Sequence, residues 1–262
     1  MNETELLFTE ILSCNRAQLY LERKRKLSLE DSARIAGVLR RRISGEPIQY
    51  ILGKTEFMGL EFKVSPAVLI PRPDTEELVE TVLRYGRGGE FEILDVGTGS
   101  GCIAVSLAKL LPQVKICAVD ISRAALEIAK QNAQLNGTLN RINFLNCDLF
   151  PPLEQYGIKY DIIISNPPYI KTKIIQTLEV EVQREPREAL DGGEDGQDFY
   201  RRIIRESPAY LKRSGLLILE IGFGQKEEVE KIFSAEKIFE VKEVIKDYNG
   251  IHRVVVAQMH KI

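Results

Sequence analysis

The chain of 262 residues predicts an α/β fold. The expected core is a doubly wound, mostly parallel sheet with one antiparallel strand near the C-terminus. A small helical region and a hairpin connector precede it. Three observations lead there. From residue 91 onward, apolar runs of strand length alternate with amphipathic segments of helical length, as a parallel sheet covered on both faces requires. Two strand-like runs then follow each other without an intervening helix, which sets one of them antiparallel. Residues 1–45 carry helical periodicity instead of alternation.

Taken in order, the N-terminal segment has Ser28 with Asp31 three positions on, resembling a capping box. Ile35, Leu39 and Ile43 follow at helical spacing, and Gly45 is a plausible stop. The basic runs Arg23-Lys24-Arg25-Lys26 and Arg40-Arg41-Arg42 read either as solvated helix faces and turns or as a surface for an acidic partner, RNA or protein. In 46–72 the pattern shortens. Gly53, Met58-Gly59 and the alternation of Leu60, Phe62 and Val64 read as a hairpin connector. Ile70-Pro71-Arg72-Pro73-Asp74 is a stiff loop, and Asp74 or Thr75 can cap the helix that carries Leu78, Val79, Val82 and Leu83. Strands are expected at 91–96, 115–119, 142–147, 161–165, 216–221, 239–246 and 253–258. Helices are expected at 102–111, 123–136, 199–211 and 226–234.

An apolar fraction of 44%, a charged fraction of 28% and a net charge of -2 suit a soluble globular protein and argue against an extended nucleic-acid surface. The absence of a bilayer-length apolar run and of a signal-peptide pattern points to a cytoplasmic protein. Cys14, Cys102, Cys117 and Cys147 form no CxxC pair and read as reduced, mostly core residues. His252 and His260 lack companions at ligand spacing, so no metal site is expected.

Asp95-Val96-Gly97-Thr98-Gly99-Ser100-Gly101 ends a strand and opens a helix. Glycines at alternate positions let the backbone turn sharply and approach a ligand closely. Asp120 ends the next strand, where an acid can hold ribose hydroxyls. A nicotinamide dinucleotide would favour GxGxxG, but Cys102 occupies the third glycine position, and Asp95 suits an ammonium group better than a diphosphate. The loop therefore fits S-adenosylmethionine better, with S-adenosylhomocysteine as product. Asp95, Gly97, Thr98, Gly99, Ser100, Gly101, Asp120 and Ile121 are the candidate cofactor residues. Asp148 and Leu149, at the third strand's end, are candidates for the adenine amino group and ring; the alternative for Asp148 is an Asx-type cap.

Asn166-Pro167-Pro168-Tyr169 follows the fourth strand of this series. Proline has no N–H and a fixed φ, so the ladder stops and the corner is rigid. The Asn166 side-chain carbonyl and the Pro167 carbonyl are two neutral acceptors that can grip both hydrogens of an –NH2 group. Tyr169 can stack on its planar frame. Asn166 and Pro167 are the candidate catalytic residues, and Asn166 also borders the cofactor.

This corner, placed after a glycine loop of that kind, resembles the amino-group methyltransferases that modify adenine, cytosine or glutamine nitrogen. Gly45-Glu46-Pro47-Ile48-Gln49-Tyr50-Ile51-Leu52-Gly53, Phe57-Met58-Gly59-Leu60 and Leu69-Ile70-Pro71-Arg72-Pro73-Asp74-Thr75-Glu76 narrow the resemblance to the bacterial release-factor glutamine methyltransferases. So do Ala189-Leu190-Asp191-Gly192-Gly193-Glu194-Asp195-Gly196, Leu219-Glu220-Ile221-Gly222 and Asp247-Tyr248-Asn249-Gly250. The resemblance runs from about Leu6 to Gln258, with an N-terminal region shorter than the family's by one or two helices. It implies a Rossmann-like class I methyltransferase domain at 73–262, after a helical domain (1–45) and a hairpin linker (46–72). It implies methylation of the glutamine side-chain nitrogen in the Gly-Gly-Gln motif of peptide chain release factors. Asn166 and the Pro167 carbonyl would bind that amide, Pro168 and Tyr169 would shape the slot, and the Arg72 loop would cover the cofactor. The partner would be a protein, with no stable nucleic acid and no membrane, and the enzyme a monomer. Two other readings remain at this point: a nucleic-acid adenine methyltransferase with the same corner, and a non-catalytic assembly protein.

Overall fold

A computed structural model describes residues 3–260 except 23, 25, 87–89 and 154–156. Arg23 and Arg25 of the first basic run lie outside the described residues. Helices α1 (Glu3–Ile11), α2 (Arg16–Leu21) and α3 (Leu29–Ile43) form the N-terminal region. Ser28 Oγ accepts from the Asp31 N–H at 2.9 Å and starts α3 where expected. The apolar residues of α3 divide: Ile35 is buried, whereas Leu39 is 42% and Ile43 85% exposed. The helix packs mainly on α1 and α4, a layer too thin to cover its whole stripe. Two arginines of the second basic run are used internally. Arg41 pairs with Glu46, and Arg42 pairs with both Glu3 and Glu181. Arg184 returns the contact, donating to the Ser44 carbonyl at 2.8 Å. The helical region is thus tied to the segment around 180.

The connector begins differently from the expectation. A short helix, α4 (Ile48–Leu52), precedes the hairpin of β1 (Lys54–Phe57) and β2 (Leu60–Lys63). Pro47, with its fixed φ of -55°, stands just before the first turn, and Gly53, with φ 73°, closes the helix. The short alternating pieces had concealed this helix, whose buried Ile48 and Tyr50 are two positions apart. The hairpin packs onto the main domain. Fully buried Asn132 accepts from the Lys63 N–H (2.7 Å) and donates to the carbonyls of Lys63 (3.0 Å) and Ser100 (2.8 Å).

Neither Asp74 nor Thr75 caps α5 (Glu76–Tyr85) through its side chain, contrary to the sequence reading. Both are claimed by distant partners: Asp74 pairs with Arg253 at 3.0 Å, and Thr75 bonds Asn166. Glu76 and Glu77 remain in the first turn and complement the helix dipole.

The main sheet contains β3 (Glu92–Val96), β4 (Lys115–Asp120), β5 (Ile142–Asn146), β6 (Tyr160–Ser165), β7 (Leu211–Glu220), β8 (Phe239–Lys246) and β9 (His252–Met259). Its order is β5-β4-β3-β6-β7-β9-β8. Strands β3 to β7 pair in parallel, and β9 runs antiparallel between β7 and β8. The anticipated architecture is present, with the last strand as the antiparallel member. Helices α6 (Cys102–Leu110), α7 (Arg123–Leu135), α8 (Asp198–Glu206) and α9 (Lys226–Glu236) fill the connections. Helix cover on both faces explains why Ile162, Ile163 and Ile164, like Leu217, Ile218 and Leu219, are consecutive yet buried.

Two boundaries shift. Helix α8 ends at Glu206 and passes into a 3-10 turn, Ser207–Ala209, because Pro208 supplies no N–H for a further helical turn. Strand β7 consequently begins at Leu211, paired with Tyr160, five residues before its apolar run suggested. Among the described residues no helix is long and apolar enough to cross a membrane.

Candidate active site

The chain runs β3-β4-β5 toward one sheet edge, then returns to place β6 on the other side of β3. Outside the carboxyl ends of strands at such a reversal a crevice opens. Here it is a cavity of about 330 Å³ lined by Gly97, Gly99, Asp120, Ile121, Asp148 and Leu149 on one side and by Asn166, Pro167 and Pro168 on the other.

The first side is built from backbone. Gly97, Gly99 and Gly101 all have positive φ (73°, 55° and 79°), a region closed to most side chains. A Cβ on Gly97 would meet nothing within 4 Å, whereas one on Gly101 would lie 3.0 Å from the Cβ of Ala129 in α7. The first glycine therefore leaves the backbone open to the cavity, and the third lets helices α6 and α7 approach. The Gly99 N–H donates to Asp120 Oδ2 and the Ser122 N–H to Oδ1, each at 2.8 Å. These bonds aim the Asp120 carboxylate into the cavity. Burial pushes its pKa up, and the two N–H groups oppose that.

Not every candidate of the loop reaches the cavity. Asp95 is fully buried behind it, accepting from the Thr98 hydroxyl at 2.6 Å, and burial pushes its pKa up to about 7. Its Oδ1 has no hydrogen-bond partner. Thr98, Ser100 and Gly101 support the loop without lining the cavity. Asp148 lines it and pairs with Arg202 at 2.8 Å. Leu149 reaches it from a left-handed backbone, φ 59°.

The second side is built from side chains held by distant segments. Asn166 Nδ2 donates to Thr75 Oγ1 at 3.1 Å. Among the described residues no donor bonds its Oδ1, which leaves the carbonyl end of the amide available to a ligand. Tyr169 does not line the cavity. Its hydroxyl donates to Glu220 Oε1 at 3.3 Å, and its ring lies where a Cβ on Gly222 would come within 2.9 Å. The corner's backbone is enclosed by glycines of the 192–196 loop: a Cβ on Gly192 would sit 2.7 Å from Tyr169 Cα, and one on Gly196 2.5 Å from the Tyr169 carbonyl. Gln225 Nε2 donates to that carbonyl at 3.0 Å.

Several lining residues escaped the sequence reading. Ala67, Val68 and Leu69 form one wall, and Pro186, Glu188, Ala189, Asp191, Phe199 and Arg202 another. The first wall is held by Tyr50, whose buried hydroxyl donates to the Val68 carbonyl at 2.6 Å. Arg72 joins the two walls by an ion pair with buried Glu185, and the same carboxylate accepts from the Ile70 N–H at 2.9 Å. Burial pushes the Glu185 pKa up, with Arg72 as the main opposing influence. The available signal was the quoted Pro-Arg and Asp-Gly-Gly stretches, whose contact could not be inferred from either alone. Acids outnumber bases among the lining residues, with Asp120, Asp148, Glu188 and Asp191 against Arg202, although Arg187 pairs with Asp191 at 3.2 Å.

Comparison with known proteins defines the class first. Residues 74–194 match the Methyltransferase small domain family and residues 1–53 the PrmC N-terminal domain family. The fold agrees with solved methyltransferases. One from Pyrococcus furiosus has a TM-score of 0.58 at 19% identity, covering 89% of this chain and 99% of that one. A ribosomal protein L11 methylase from Lactobacillus delbrueckii subsp. bulgaricus has a TM-score of 0.53 at 22% identity, covering 75% and 84%. The particular family follows from sequence. The release factor glutamine methyltransferase of Geobacter sulfurreducens is 45% identical over 97% of this chain and 87% of its own. That of Moorella thermoacetica is 42% identical over 97% and 90%. The chain belongs to the release factor glutamine methyltransferase family and is a protein-glutamine N-methyltransferase.

Proposed function

We propose that the chain transfers a methyl group from S-adenosylmethionine to the side-chain amide nitrogen of the glutamine in the Gly-Gly-Gln motif of peptide chain release factors. The observation that carries this reading is the Asn166 amide. It lines the same cavity as Asp120, and its Nδ2 is engaged by Thr75, so its oxygen is the atom offered to a substrate.

The cavity suits the proposed cofactor. Asp120 and Glu188 have no basic partner among the described residues, a setting that favours a cationic ligand over a diphosphate. Gly97, Gly99, Ile121 and Leu149 would hold the nucleoside against Asp120, while Asp148 faces the base with Arg202 beside it. Asp95 would act from behind, by holding Thr98 and the loop. When bound, the cofactor supplies an electrophilic methyl group.

An amide nitrogen is a poor nucleophile because its lone pair is delocalised. Asn166 Oδ1 and the Pro167 carbonyl accept from its two hydrogens. Their attraction strengthens as positive charge develops on nitrogen, so they favour the transition state over the ground state. Holding the nitrogen still removes a large orientational cost. No strong base is needed, because the methylated amide loses its extra proton readily.

The partner in this reading is a protein, met by a cytoplasmic monomer that holds no nucleic acid stably. An anionic cavity supports a protein substrate over a nucleic-acid strand, which needs cationic contacts. The decisive experiment presents purified release factor, DNA and RNA separately, with methyl-labelled cofactor, and maps any modified residue by mass spectrometry. Label on the glutamine of Gly-Gly-Gln is the expected result. Label confined to nucleic acid overturns the reading.

A further inference from the structure

Arg253, near the start of β9, is buried and does not line the cavity. A buried guanidinium is costly unless its donors are matched, and its partners here come from three loops. From the β8–β9 turn, Asp247 Oδ2 accepts from Nε at 3.2 Å and from Nη2 at 3.0 Å. Asp247 is itself fixed, because its Oδ1 accepts from the N–H groups of Asn249 (2.9 Å) and Ile251 (3.1 Å). From the end of β7, the Ile221 carbonyl accepts from Nη1 at 3.4 Å, and the Ile221 N–H donates to the Arg253 carbonyl at 2.8 Å. From the turn before α5, Asp74 pairs with Nη2 at 3.0 Å.

The contact to Asp74 differs in kind from the other two. Asp247 and β7 already hold the guanidinium in place. The Asp74 side chain is 41% exposed, where an ion pair adds little to stability. What the contact does is locate the turn. Thr75 follows Asp74 directly, and its Oγ1 accepts from Asn166 Nδ2 at 3.1 Å. The other end of the same loop is held by Arg72 on Glu185, and the Thr75 N–H donates to the Arg72 carbonyl at 3.0 Å. Thr75 is thus framed by two ion pairs, one to the segment around 185 and one to β9. We propose that Arg253 is a positioning residue for methyl transfer. Through Asp74 it fixes the turn from which Thr75 holds the Asn166 amide, so that Oδ1 stays aimed at the substrate nitrogen. This rests on the reading that Asn166 grips a substrate –NH2 group.

The geometry calls for arginine and not merely for a cation. A guanidinium carries its donors in a rigid planar fork. Nη2 faces both Asp74 and Asp247, at 3.0 Å each, while Nε and Nη1 fix the plane against Asp247 and Ile221. An ammonium has no plane to fix, so Arg253→Lys keeps the charge and loses the register. Small displacements matter at this point because transfer depends on the alignment of the reacting atoms, and a misplacement of about 1 Å can cost on the order of a hundredfold in rate.

The test uses the full chain. Asp74→Ala removes the link from its exposed end and leaves Arg253 on Asp247, so thermal unfolding should barely change. With release factor as substrate, kcat should fall about tenfold while KM stays within about threefold, the pattern of a lost orienting contact. Cofactor affinity in calorimetry should be unchanged. Arg253→Lys should lower kcat by a similar factor, and combining it with Asp74→Ala should cost no more, because both act through one contact. In nitrogen-labelled protein without substrate, the Asn166 side-chain NH2 should exchange with water faster in Asp74→Ala than in wild type. Wild-type kcat or unchanged Asn166 exchange in Asp74→Ala overturns the proposal, as does a further rate loss in the double variant. Failure of the wild-type enzyme to methylate release factor would instead count against the substrate reading, and the Asn166 exchange would still judge the role of Arg253.

Discussion

The two sides of the cavity are made in opposite ways. The Gly97–Asp120 side is local: a strand, a glycine turn, a helix and the end of the next strand, with Gly99 and Asp120 bonded 21 residues apart. The Asn166 side is assembled from remote pieces. Thr75 lies 91 residues from Asn166, Glu220 51 from Tyr169, and Arg72 113 from Glu185. Backbone groups in a short loop depend on few other residues for their direction. Side-chain groups hold a direction only if distant segments lock them. The first side should therefore fail through binding, and the second through rate or through stability at remote positions.

The largest expected effect tests that division directly. Asn166→Ala should lower methyl transfer by about 10²–10³-fold or more, as loss of a group used in the transition state does. Cofactor affinity, measured by calorimetry, should change only a few-fold. Near-wild-type turnover would remove Asn166 from the chemistry.

The glycine loop offers a sharper internal contrast. Gly97→Ala and Gly101→Ala both place a side chain at positive φ, at about 1–2 kcal/mol. Only Gly101→Ala also presses a Cβ to 3.0 Å from Ala129. Gly101→Ala should thus be the less stable in denaturant melts, while Gly97→Ala should lose more cofactor affinity. Equal stability losses would mean that the approach of α6 to α7 is looser than the packing implies.

Arg72→Ala leaves Glu185 buried with only the Ile70 N–H. A loss of about 1–3 kcal/mol is expected, the cost of an under-satisfied buried group, since Arg72 is itself partly exposed and its charge partly screened. Because Arg72 joins two walls of the cavity, KM should rise more than kcat falls. An unchanged melt would show the pair to be dispensable.

The smallest effect concerns pH. Asp95 and Glu220 each have a pKa pushed up to about 7 by burial, above about 4 for an unfolded carboxylate. The stability they contribute is fully present below the unfolded value and is lost as pH rises through about 7. Melting temperature, followed in thermal melts, should accordingly rise slightly from pH 8 to pH 6. A melting temperature that falls over that interval would mean that other groups dominate the pH dependence of stability.

These contrasts also explain what could be read in advance. Gly97, Gly99, Asp120 and Leu149 were legible because strand, loop and helix follow one another and the strand ends must meet. Thr75 was misread as a helix cap because, within its own segment, a threonine before acidic residues is one. Tyr169 was expected in the slot, but its ring lies against Gly222 with its hydroxyl on Glu220, neither of them near it in sequence. Asp95 was expected to face a ligand. Its side chain is instead fully buried behind the loop, where it accepts from the Thr98 hydroxyl.

By itself the sequence determined the layered α/β plan and the two motifs that stand at its strand ends. Apolar periodicity and glycine or proline chemistry act over a few residues and need no partner to be understood. Only the tertiary structure decided which end of the Asn166 amide is free, which acids face the cavity, and what Arg72 and the 192–196 loop support. Those outcomes depend on hydrogen bonds and close approaches between segments far apart in the chain, whose geometry exists only after the sheet and its helices have packed.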